Sequence, residues 1–279
     1  MNLTHEQLLD LLPEFLALYA RRPFPSNDGG MAFNHSFALF ATIHTLEPEL
    51  IIESGIWRGH STWLIEQAAP DTPIVCFDPV QSRIEHHAAN ATYHSHDFAD
   101  HDWSKTETAD ALCLFDDHQN AMARLIDMRW WGFRHALFDD NFPCGRGDAY
   151  SLRKARSGCG HPGLTIWPYS KGGLKHRIRR VIDERALRKF MPRQFMLRDP
   201  NDVDKAALKR NLDVYYEFPP VLRRETTRWG DSWTGPNESE PALLEMESLP
   251  PAFEALRELA DVDDYDHFSY VFMCYAHLR

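Results

Sequence analysis

No apolar run in this 279-residue sequence approaches the roughly 20 residues that a membrane-spanning helix requires. Runs such as Ala136 to Phe138 and Tyr270 to Tyr275 are far shorter, so no membrane association is expected. Met1 to Arg22 lacks the basic start and small-residue cleavage site of a secretory signal and sets acids among its leucines. It reads as an amphipathic helix of a cytoplasmic protein. Cysteines number five, an odd count. Cys76, Cys113 and Cys274 lie in apolar, strand-like stretches and suit reduced, buried thiols. Cys144, Cys159 and His161 are irregularly spaced and lack the paired pattern of a structural zinc site. Basic charge is scarce overall, 30 Lys or Arg against 41 Asp or Glu, and the net charge of −11 argues against a nucleic-acid partner. Internal repeats and low-complexity tracts are absent, and so is the Gly-x-Gly-x-x-Gly dinucleotide fingerprint.

What is there is an ordinary globular composition, 43% hydrophobic and 25% charged, long enough for one core with elaborations. The scarce basic charge is also clustered, with 13 Lys or Arg against 3 Asp or Glu from Ser151 to Pro200. A basic insertion therefore sits in an acidic body. Leu8, Leu11, Leu12, Phe15, Leu16 and Tyr19 recur at helical spacing, and a second helix is expected over His35 to Thr45. From Glu49 the pattern changes to short apolar segments separated by helical ones: Leu50 to Glu53, Ile74 to Asp78, a strand before His96, Ala111 to Asp117, and Ala136 to Asp140. Phe268 to Leu278 reads as a further strand on a buried edge of the same sheet.

The expected fold is therefore α/β, a Rossmann-like three-layer sandwich with a mostly parallel sheet. Residues 1–48 form a helical extension, 49–279 the main domain, and about 142–212 a basic insertion after the fifth strand. Most of the strands end in a carboxylate. In open parallel sheets the ligand crevice lies beyond the carboxyl ends of the strands, so these acids converge on one site.

The central motif is Glu53-Ser54-Gly55-Ile56-Trp57-Arg58-Gly59-His60-Ser61, between a strand and a helix. Its glycines let backbone approach a ligand closely. A pyrophosphate would be repelled by Glu53, so a cationic ligand is favoured, with Glu53 meeting an amino group directly or through water. Asp78, at the end of the next strand, can accept hydrogen bonds from ribose hydroxyls. Asp97 and Phe98 follow the third strand, where a polar group and an aromatic face suit adenine. Glu53 to Ser61 together with Asp78 resembles the first two cofactor motifs of class I S-adenosylmethionine (SAM)-dependent methyltransferases. The resemblance covers roughly Glu49 to Asn141 with the terminal strand. It implies cofactor contacts from Glu53, Gly55, Trp57, Gly59, Ser61, Asp78, Asp97, Phe98 and Asp116.

A second constellation is Phe115-Asp116-Asp117-His118-Gln119 and Phe138-Asp139-Asp140-Asn141 at the ends of the fourth and fifth strands. Converging carboxylates repel one another unless they are protonated or bridged by a cation, and oxygen ligands suit Mg²⁺. The pair resembles the metal-dependent methyltransferases related to cephalosporin hydroxylase and macrolide sugar O-methyltransferases, whose strands end in Asp-Asp-Gly-Ser-His and Glu-Asp. That resemblance implies Asp117, Asp139 and Asp140 as metal ligands and His118 as the base. Asp139 stands where the family has Glu, and His118 follows Asp117 directly. The Gly-rich loop from Asn141 to Asp148 can bend over a substrate. Arg177, Arg179, Arg180, Arg185 and Arg188 suit a phosphate or carboxylate on the acceptor, while Trp130 and Trp131 read as core or pocket wall.

The function expected is O-methylation of a hydroxylated small molecule, a sugar or specialised metabolite, that is anionic if the basic insertion meets it. A homo-oligomer is compatible. Two alternatives remain open, a metal-dependent nucleotide-sugar transferase and a non-catalytic binding protein of methyltransferase-like fold.

Overall fold

The computed structural model describes residues 1–158, 202–261 and 266–279. Strands β1 (Leu50–Ser54), β2 (Ile74–Phe77), β3 (Ala91–His94), β4 (Ala111–Phe115), β5 (His135–Phe138), β6 (Leu212–Glu217) and β7 (Cys274–Leu278) form one sheet in the order β3-β2-β1-β4-β5-β7-β6. β1 to β5 run parallel, and β7 runs antiparallel to both neighbours. The sheet is thus the mostly parallel α/β sheet expected of the sequence.

Side chains alternate across it. Ile51, Ile74, Leu112, Leu114, Leu137 and Tyr275 face one core, and Ile52, Phe77, Cys113, Phe115, Ala136 and Cys274 face the other. The first core is closed by α1 (His5–Tyr19), α2 (Phe33–Leu46) and α3 (His60–Ala68), the second by α4 (Ala121–Trp131) and α5 (Leu152–Ser157). Three layers result. Helix α1 starts at a capping box in which Gln7 N–H donates to Thr4 Oγ1 at 3.2 Å and Thr4 N–H to Gln7 Oε1 at 2.9 Å. Helix α2 is buried from Phe33 to Ile43 and shares the first core with α1 and α3. Among the described residues no helix is long and apolar enough to cross a membrane.

Two expectations are corrected here. β7 spans only Cys274–Leu278 and lies between β5 and β6, so the edge strand is β6. β6 (Leu-Asp-Val-Tyr-Tyr-Glu) falls at the boundary assigned to the insertion, and Asp266–Ser269 is helical rather than extended. Trp130 is 80% exposed, on the outer face of α4, and belongs to neither core nor pocket. Cys76, Cys113 and Cys274 are free and buried as expected, whereas Cys144 is disulfide-bonded and not a thiolate ligand. The arginines from Arg177 to Arg188, with Cys159 and His161, lie outside the described residues.

Candidate active site

The chain builds β1, β2 and β3 outward in one direction and then returns to place β4 on the other side of β1, so strand order reverses between β1 and β4. At such a switch point the connections diverge and leave a crevice. Gly55, Asp116 and Asp139 stand side by side there. Each continues the ladder one residue beyond its strand, with Gly55 N–H donating to Phe77 O at 2.9 Å, Asp116 N–H to Ser54 O at 2.8 Å and Asp139 N–H to Phe115 O at 3.0 Å.

Gly55 has φ 91°, and a Cβ on it would lie 2.0 Å from the Asp116 carbonyl oxygen. Gly59 has φ 95°, with a Cβ 2.5 Å from the His86 carbonyl. Both glycines are therefore required by the close approach of backbone to backbone. A valine at 55 would displace the β4 turn itself, and so would not test ligand binding alone. Asp78 holds the loop from beneath, its Oδ2 accepting from the N–H groups of Ile56 at 3.0 Å and Trp57 at 3.3 Å and its Oδ1 from Val80 N–H at 2.7 Å. Oδ1 retains a lone pair for a hydroxyl. Trp57, at φ 52°, turns its indole outward, where Nε1 donates to Asp28 O at 3.2 Å.

Glu53 is wholly enclosed. Thr62 Oγ1 donates to its Oε2 at 2.6 Å and Cys76 Sγ lies 3.4 Å from the same atom, while Oε1 has no hydrogen-bond partner. Burial pushes the carboxyl up to about 7, with Ser61, Thr62 and Cys76 offsetting part of the rise. A buried carboxyl oxygen without a donor fits a cationic or N–H-bearing group.

Phe98 does not face a ligand as expected. Phe98 is fully buried among Phe77, Trp103, Phe115 and Phe133, its apolar ring serving as core. Asp97 is held by Arg124, which donates to its two oxygens at 2.6 and 2.7 Å.

The second constellation is rearranged. Asp117 points away from the acidic cluster, its Oδ2 accepting from Ser54 Oγ at 2.7 Å and from Arg124 Nε at 2.9 Å. Asp139 is buried against His35 of α2, whose Nδ1 lies 2.7 Å from Oδ1. Neither belongs to the group that could hold an ion. That group is Asp116, His118 and Asp140, whose ligand atoms lie within 4.8 Å of one another. Successive side chains leave the strand end in opposite directions, which separates Asp116 from Asp117 and Asp140 from Asp139. Among the described residues the structure thus brings Asp116, His118 and Asp140 together and sets Asp117 and Asp139 apart from them.

The electrostatics favour a cation at this set. Burial, then the charges of Asp139, Asp140, Asp117 and Glu53, push Asp116 well above the ordinary carboxylate range. Burial likewise raises Asp140 to about 6, although His118 opposes it. Tyr270 donates to Asp140 Oδ1 at 2.5 Å, but the buried Oδ2 accepts no hydrogen bond even with His118 Nδ1 3.1 Å away. The ring's hydrogen bond goes instead to Asp148 Oδ1 at 3.0 Å, and that bond, opposed by burial and helped by Asp140, raises His118 to about 9. His118 stands at φ 54°, in the left-handed region, which turns the imidazole back over the acids. Asp148 belongs to the Gly-rich loop, so that loop does fold over the site. An orphaned buried carboxylate oxygen and a donor set of two carboxylates and an imidazole fit a divalent cation.

Sequence reasoning missed Arg124, His35, Tyr270 and Asp148. Arg124 carried a signal, an arginine among the buried residues Met122, Leu125 and Met128 of one helix. His35 carried another, an imidazole in the midst of the apolar helix α2.

No protein-family model matches the chain, and neither does any curated protein. Solved structures resemble it in part. CmcI with SAH is 17% identical over 45% of this chain and 75% of its own, with a TM-score of 0.32. The SAH-bound methyltransferase PaMTH1 from Podospora anserina is 15% identical over 76% and 83%, with a TM-score of 0.38. The O-methyltransferase TomG from Streptomyces achromogenes, involved in tomaymycin synthesis and in complex with SAM, is 15% identical over 46% and 64%, with a TM-score of 0.33. No residue's role follows from likenesses of this size.

Proposed function

We propose that this chain is a SAM-dependent O-methyltransferase acting on a hydroxylated small molecule, with a divalent cation, Mg²⁺, beside the acceptor oxygen. The observation that carries the reading is the pairing, at one switch point, of the Glu53-to-Ser61 loop with the Asp116, His118 and Asp140 cluster. The first offers a buried carboxyl oxygen to an amino group, and the second offers an orphaned oxygen to a cation.

In the transfer the acceptor oxygen bonds to the methyl carbon as the carbon–sulfur bond breaks. The electron pair of that bond passes to sulfur, neutralising the sulfonium and leaving S-adenosylhomocysteine, and the hydroxyl proton goes to a base. Holding the three reacting atoms in line supplies much of the rate. Gly55 to Gly59 shape the donor's floor, Asp78 offers the free lone pair of Oδ1 to its ribose, and Glu53 balances its amino group. Asp116 and Asp140 would hold the cation, whose chemistry is to lower the pKa of the acceptor hydroxyl. His118 is the side chain placed to take the proton when its ring is neutral, a form that its bond to Asp148, which raises it to about 9, reserves for alkaline pH.

Equilibrium dialysis with labelled SAM tests the reading. Displacement by S-adenosylhomocysteine and not by a nucleoside diphosphate sugar is expected. The reverse order would transfer the site to the nucleotide-sugar alternative.

A further inference from the structure

Three histidines outside this site converge at the free edge of the sheet. His94 ends β3, the edge strand beside β2, His96 lies two residues on, and His101 follows the short turn Phe98–Asp100. One ring nitrogen from each lies within 4.8 Å of the others. His96 Nε2 and His101 Nδ1 are 3.1 Å apart. Their rings stack at 7° with centroids 5.3 Å apart, and His94 stands 4.9 Å from one and 4.8 Å from the other. Phe77, stacked on His94 at 5.2 Å, and Trp103, 4.4 Å from His101, give the trio an apolar floor. His96 is exposed and opens the cluster to solvent.

One shared proton satisfies the His96 and His101 pair, and a ring nitrogen of His94 lies within 4.8 Å of both. Three imidazolium ions at this separation would repel one another. Burial first, and the neighbouring rings next, lower His94 and His101 below the ordinary histidine value, and neutral imidazole is the ligand form. With zinc–nitrogen bonds of about 2.0–2.1 Å, tetrahedral ligands stand about 3.3 Å apart, close to the spacing of His96 and His101. An all-imidazole set suits zinc rather than the hard magnesium ion.

We propose that His94, His96 and His101 form a zinc site, with water in the fourth position on the exposed side of His96. Bound zinc would tie the end of β3 to the turn after it, and so fix the segment that carries Asp97, the partner of Arg124.

The test is calorimetric titration of ZnCl₂ into the untagged full chain stripped by chelator, repeated with His96→Asn, His101→Asn and Asp140→Asn. The expected result is a zinc equivalent, separate from any taken up by the Asp116 and Asp140 cluster, whose affinity falls at least tenfold in each histidine variant and persists in Asp140→Asn. Zinc should also raise the melting temperature of the wild type and not that of His96→Asn. Exposed His96 makes His96→Asn safe for folding should His101→Asn prove unstable. Zinc binding unchanged by His96→Asn, lost only in Asp140→Asn, or absent from the wild type would overturn the proposal.

Discussion

Replacing Glu53 by Gln should make the protein more stable above pH 7 while weakening its hold on the cofactor. Burial raises the Glu53 carboxyl from the ordinary 4.5 to about 7. A group whose folded-state pKa lies above its unfolded value contributes its full stability below the unfolded value. That contribution is lost as pH rises through the folded one. For Glu53 the window runs from 4.5 to about 7, and each pH unit across it costs about 1.4 kcal/mol. Above pH 7 the wild type therefore carries a deficit of about 3 kcal/mol that glutamine does not share. The amide can keep its oxygen toward Thr62, but its NH₂ then faces the place of the unpartnered Oε1, which returns about 1 kcal/mol of that gain. Urea unfolding from pH 4 to 8.5 should show equal or slightly lower stability for Glu53→Gln at the acid end. A gain of about 2 kcal/mol should grow in between pH 4.5 and 7. A difference that does not change with pH would refute the reasoning.

Arg124→Met should destabilise the fold by about 3–5 kcal/mol, because it leaves the Asp97 and Asp117 carboxylates without their guanidinium, and a loss below about 1 kcal/mol in urea would contradict this. Gly55→Ala should lower both stability and cofactor affinity, since its Cβ would lie 2.0 Å from the Asp116 carbonyl, and a melting temperature unchanged from wild type would refute it. Asp140→Asn should reduce Mg²⁺ affinity and methyl transfer at least tenfold while leaving cofactor affinity within about twofold, the tenfold corresponding to about 1.4 kcal/mol. Equal activity of the wild type in chelator and in Mg²⁺ would remove the cation from the account.

Much of the sheet was legible in the sequence because its parallel strands are buried on both faces and must be short and apolar. Leu50–Ser54, Ile74–Phe77, Ala111–Phe115 and His135–Phe138 stand within about two residues of the expected segments. The edge was not legible. β6 alternates polar and apolar residues only weakly beside a charged helix, and the long apolar run from Phe268 belongs partly to a short helix and partly to a loop that closes the site. At the site, the sequence located the strand ends and the turn but not the direction of the side chains. Consecutive acids such as Asp116 and Asp117 differ by a half-turn of backbone, and partners from remote segments claim one of each pair. Arg124 takes Asp117, and His35 takes Asp139. Similarly, Phe98 follows a strand as an adenine-facing residue would, yet the sheet edge needs an apolar plug there and the ring turns inward.

The central claim is that the Glu53 loop holds SAM. Calorimetric titration of S-adenosylhomocysteine into wild type and Glu53→Gln in Mg²⁺ tests it most directly. The account predicts a wild-type dissociation constant in the range of about 1–100 µM. It also predicts binding at least tenfold weaker in Glu53→Gln, although that variant unfolds at higher urea concentration. Equal affinity in the two proteins, or no binding to either, would contradict it.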